Sequence, residues 1–237
     1  YSRAARIIAS FLTGYMLIIF VTFMNFNTTK FIQILVIIVG VTGFLSSNPF
    51  ALILPFSPGV VMADHILNGF FLASYRLLLL SQLEVIRRQS ASPMPFAAVF
   101  LILFCIVYAV IGSYAGFERA NLINESVVPN SEILQSETIL MYYDIAYVIV
   151  SFIWIIAAFV QGSNFAPVRL AFVFFLFLLS LSSTVVSDII LPKLNYMMYT
   201  ILPSMIVTAA HLNSAAFCIF MFHNGGDSYY AEMGTNK

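Results

Sequence analysis

The chain has 237 residues, of which 61% are hydrophobic and 8% charged, with ten basic against ten acidic side chains. Soluble domains carry about 25% charged residues, so this composition excludes a soluble globule and points to an integral, all-α membrane protein. A net charge of zero leaves no basic surface for nucleic acid.

Seven apolar runs reach or approach the roughly 20 residues that a spanning helix needs. They are predicted as helices at about 7–26, 31–47, 59–83, 96–116, 138–161, 167–191 and 199–222, so that 1–237 reads as a single seven-helix transmembrane domain. Apolar residues are continuous rather than alternating, which argues against the strands of a barrel. The sequence opens at Tyr1 on the polar run SRAAR without an initiator Met, and reads as part of a longer chain. Breakers punctuate the runs: Asn48-Pro49 after the second, Ser57-Pro58 before the third, Ser92-Pro93-Met94-Pro95 before the fourth and Gly162 to Pro167 before the sixth. The longest connection, Phe117–Glu137, is acidic, with Glu118, Glu125, Glu132 and Glu137 against Arg119. It also holds the sequon Asn124-Glu125-Ser126, a glycosylation candidate that places this connection in the lumen or outside. An odd number of spans then gives a luminal N-terminus and a cytosolic C-terminus. Cys105 and Cys218 both sit in apolar runs, where neither a disulfide nor a metal motif is expected.

The third run is the most polar span. At 100° per residue, Asp64, Asn68, Tyr75 and Gln82 fall within about 40° of one another. Lipid cannot satisfy such a stripe, so it is expected to face other helices or a water-filled cavity. His65 and Arg76 lie on an adjacent face, and Arg87 and Arg88 close the span. In the seventh run His211, Asn213 and Ser214 are polar, and Pro203 frees backbone carbonyls that need other partners. Asp144 and Asp188 fall near the luminal ends of their spans and read as interfacial groups. Arg119 is expected to pair with one of Asp64, Asp144 and Asp188. The same residues have a plainer reading, in which polar side chains simply join helices.

An enzyme is not expected. Zinc hydrolysis needs three ligands converging on an open position. His65, His211 and His223 instead lie near one face, in mid-span and at the opposite face. No Gly-x-Ser-x-Gly nucleophile motif is present. The seventh run has no Lys, so it cannot bind retinal as a Schiff base. No catalytic residue, metal or cofactor is assigned.

Three stretches, taken in order, resemble one family. They are Asn48-Pro49 through Asp64, Gly69, Phe70-Phe71 and Ala73; then Phe117-Glu118-Arg119; then Leu212-Asn213-Ser214-Ala215-Ala216-Phe217. Together they resemble the seven-helix domain of Wntless and its relatives, among the GOLD-domain seven-helix proteins and the transmembrane protein 181 type. The resemblance implies a GPCR-like seven-transmembrane-helix bundle and a role in protein transport along the secretory pathway, at the Golgi, endosome or plasma membrane. It also implies binding of a lipidic or lipidated ligand between the helices. Asp64, Asn68, Tyr75, His211, Asn213 and Ser214 would then line the cavity, and Glu118 and Arg119 would form a structural pair at its luminal end. The β-rich luminal domain that precedes the first span in that family is not in this sequence, so the ligand does not carry over. Membrane lipid is the expected partner of the exterior. A ligand-sensing receptor and a structural subunit bound to other membrane subunits are the rival readings.

Overall fold

The computed structural model describes residues 2–24, 31–46, 58–88, 93–124, 135–161 and 167–185. Among them the chain is all helical: α1 (Ser2–Phe23), α2 (Phe31–Ser46), α3 (Pro58–Arg88), α4 (Pro95–Asn124), α5 (Gln135–Gln161) and α6 (Pro167–Thr184). The predicted seventh span, 199–222, and Asp188 lie outside the described residues.

Three of these helices open on proline, whose missing amide is not needed in a first turn and whose φ is already helical. Arg87 and Arg88 in the last turn of α3, and Glu137 in the first turn of α5, have the signs that a helix dipole favours. The helices outrun the hydropathy. α4 continues to Asn124, so Phe117, Glu118 and Arg119 are helical rather than part of the long connection. Nothing between Gly116 and Asn124 breaks a helix, and charges end an apolar run without ending the helix. α5 likewise starts three residues before its predicted apolar span.

α3 is the hub. It packs against α2, α4 and α5, while α1 packs on α2 and α4 on α5. α6 meets α5 through the stacked rings of Phe159 and Phe174, 4.2 Å apart. Among the described residues, three helices are long and apolar enough to cross a membrane: Met62–Arg88, Pro95–Glu118 and Gln135–Gln161. Their burial runs against their hydropathy. The least apolar, in α3, is 78% buried at mean hydropathy 1.3, whereas the most apolar, in α4, is 22% buried at 2.6. Water would demand the reverse order; lipid solvates the apolar helix and drives the polar one inward. Phe96, Val99, Leu103, Val107, Val110 and Tyr114 accordingly make an exposed stripe at helical spacing along α4.

Two glycines set the closeness of α3 and α4. A Cβ on Gly69 would collide with Ser113 Oγ and lie 3.0 Å from the Ala109 carbonyl oxygen. A Cβ on Gly116 would lie 2.6 Å from His65 Nδ1. Such small-residue contacts let backbones approach where lipid supplies no hydrophobic drive. Across the other side of α3, Ser74 Oγ and Thr42 Oγ1 of α2 share a hydrogen bond of 2.9 Å. Gly69→Ala is expected to destabilise the protein by about 1–3 kcal/mol through overpacking. Gly112→Ala, whose nearest new neighbour would be Tyr108 at 3.6 Å, should be tolerated; thermal melts in detergent compare the two.

Candidate functional site

The centre of the bundle is an ion pair. Arg76 Nη1 of α3 donates to Asp144 Oδ1 of α5 at 2.6 Å, and the two side chains are 6% and 1% exposed. Asp144 lies nine residues beyond the start of α5, about 13 Å along the helix. Its side chain is fully buried, and Arg76 is its partner across the helices. The side chain of Arg119 lies outside what the structure describes. Aromatic rings complete the enclosure. The Arg76 guanidinium carbon stands 3.8 Å from the centroid of Tyr108 and 4.5 Å from that of Tyr147. A planar, delocalised cation suits this setting: it can stack on rings while its edge serves a carboxylate. Tyr143 braces the ring set. Its hydroxyl donates to the Phe104 carbonyl at 2.6 Å, and its ring stacks on Phe104 at 4.7 Å.

A second charged cluster closes the same interface near the ends of α3 and α5. Glu84 is fully buried. Arg87 grips it with two bonds, Nε to Oε2 at 2.8 Å and Nη2 to Oε1 at 2.7 Å. Trp154 Nε1 of α5 donates to Glu84 Oε2 at 3.1 Å, and Arg87 Nη1 reaches Gln161 Oε1 at 3.0 Å. The fork geometry makes this a strong, oriented contact.

The polar stripe read from the sequence takes a different place. Tyr75 and Gln82 are 2% and 1% exposed, so this half of the stripe is packed. The Tyr75 ring lies against Phe71, with centroids 6.3 Å apart. Asp64 and Asn68 are half-buried, with Asn68 Nδ2 reaching Asp64 Oδ2 at 3.5 Å. The face of α3 that meets α4 carries His65, Gly69 and Arg76, about 100° round from the stripe. Glu118 accepts a short hydrogen bond from the Ser136 hydroxyl, tying α4 to the first turn of α5. Asn124 is the last residue of α4. His211, Asn213 and Ser214 lie outside the described residues. The structure thus brings together Arg76, Asp144, Tyr108 and Tyr147, and separately Glu84, Arg87 and Trp154. Sequence reasoning passed over Glu84 and did not link Arg76 to Asp144. The available signal was charge balance: an Arg and an Asp at membrane depth each need an opposite charge.

By length and composition the fold is that of a multi-pass membrane protein with a polar, ion-paired core. Neither family models, nor curated proteins, nor solved structures give a match to the chain.

Removing one partner of a buried pair leaves the other charge uncompensated, whereas replacing both with apolar residues is often neutral. Asp144→Leu alone should therefore cost about 3–5 kcal/mol, and the double variant Arg76→Leu/Asp144→Leu should recover most of that loss. Chemical denaturation in detergent measures both. At the second cluster, Arg87→Leu should lower the melting temperature clearly, because it strands buried Glu84. The exposed Arg88→Leu should stay within about 0.5 kcal/mol of the parent.

Proposed function

We propose that the chain is a membrane carrier or sorting receptor of the secretory pathway, built as a seven-helix GPCR-like bundle of the Wntless type. It would take a lipidic or lipidated ligand between its helices. The observation that carries this reading is the change of packing along α3. From Phe71 to Ile86 nearly every side chain is buried, whereas Asp64 to Asn68, one turn earlier, are half-buried. Asn68 Oδ1 is itself buried without a hydrogen-bond partner among the described residues. A polar, half-buried end beside a closely packed stretch suits an amphiphile, with its head at Asp64 and Asn68 and its chain along the helix. Amphiphile sites of this kind are apolar with a few placed polar groups.

The rival reading, a structural subunit of a larger membrane assembly, is favoured by one feature. α3 and α4 approach so closely at Gly69 and Gly116 that no alkyl chain fits between them at those levels. Photo-crosslinking decides between the two. A photoreactive residue at position 68 should label an alkyne-bearing fatty acyl lipid in membranes, and the exposed position 103 on α4 gives the background for bulk lipid. Labelling at 68 that is saturable by unlabelled lipid supports the carrier. Labelling no different from position 103 removes it.

A further inference from the structure

The hub helix α3 borders lipid at its opening turns. Among the described residues, Met62 and Phe70 are its exposed large apolar side chains, at 45% and 53%. From Phe71 to Ile86 every side chain is buried or half-buried. Between Met62 and Phe70, the residues from Asp64 to Asn68 are half-buried. An amphiphile therefore reaches these turns sideways from the bilayer, with its chain along α3, and needs no closed cavity. Asp64 and Asn68 stand two and six residues inside the candidate span Met62–Arg88. That is about 3 and 9 Å along the helix, the depth at which the head of a single-chain amphiphile meets its tail.

The groups met there are hydrogen-bond acceptors. Asn68 Nδ2 donates to Asp64 Oδ2 at 3.5 Å. That contact orients the amide: the carboxylate takes the N–H side, and the amide oxygen is the end left over. Asn68 Oδ1 is buried with no hydrogen-bond partner among the described residues. The carboxylate beside it has about four lone-pair sites, more than one long amide bond uses. A buried acceptor without a donor is costly. Asn68 as a residue is only half-buried, so a small turn of its amide presents Oδ1 to an incoming donor. A head that brings only acceptors adds to the penalty instead of relieving it.

We propose that the amphiphile taken at these turns carries a protonated primary amine on its head. The inference rests on the carrier reading above and names the chemistry of its ligand. An ammonium supplies three N–H donors and a positive charge. One N–H serves Asn68 Oδ1 and another the Asp64 carboxylate, a charge-assisted bond stronger than a neutral one. A fatty alcohol offers one donor and no charge. A quaternary ammonium offers charge and no donor. A fatty carboxylate offers neither, and sets its own charge against that of Asp64.

The test labels the purified full-length protein in phosphatidylcholine nanodiscs with a long-chain primary amine that carries a diazirine and an alkyne. Unlabelled amine, alcohol, quaternary ammonium and carboxylate of one chain length compete at matched mole fractions in the bilayer. The amine should compete at roughly tenfold lower mole fraction than the alcohol or the quaternary ammonium, and the carboxylate should be weakest. Asp64→Asn should remove the advantage of the amine over the alcohol. Asn68→Leu should weaken both of these donors and leave the quaternary ammonium unchanged, and it carries the comparison if Asp64→Asn does not fold. Ser182→Ala, whose exposed hydroxyl bonds its own helix, should match the wild type. Saturable labelling that the carboxylate or the alcohol competes as well as the amine leaves the carrier standing and overturns the head-group inference. Labelling that none of the four saturates overturns both.

Discussion

The contact between Arg76 and Asp144 is the constraint on which the rest of the bundle depends. Two full charges at membrane depth are tolerable only if they meet, and they meet at 2.6 Å with almost no exposure. Their meeting fixes the depth of α5 relative to α3. It also fixes which way each helix is turned, because Arg76 must reach Asp144 while its flat face lies on Tyr108 of α4 and Tyr147 of α5. One side chain therefore registers three helices. The desolvation cost of such a pair can exceed its attraction, so its value lies in orientation more than in net stability.

The second cluster repeats the logic near the end of the same interface. Glu84 cannot be buried alone, and Arg87 on its own helix neutralises it while Trp154 ties it to α5. Between the two clusters the interface is partly polar, which is unusual for a contact inside lipid. Polar side chains there act as interhelical glue only when each finds a partner. The buried Ser81 hydroxyl is where that rule is left open among the described residues. The carrier reading concerns the half-buried opening turns of α3.

The sequence by itself determined the class of protein. A chain that is 61% hydrophobic and 8% charged has to be solvated by lipid. Runs of about 20 apolar residues in lipid must be helices, because no water is present to satisfy an open backbone. It also turned the third run inward, since lipid cannot satisfy its stripe of polar residues. Helix ends were less legible. Hydropathy stops at the first charge, whereas α4 runs on through Glu118 to Asn124 because nothing there breaks it.

Partnership was decided only by the tertiary structure. Asp64, Asn68, Tyr75 and Gln82 stood out because they share a face within one helix, a property that spacing reveals. Arg76 with Asp144, and Glu84 with Trp154, are separated by 68 and 70 residues, and no spacing rule links them. Which arginine meets which aspartate depends on the rotation and depth of two helices. Those are set by close approach at Gly69 and Gly116 and by ring stacking around Arg76, packing terms that a one-dimensional pattern does not contain.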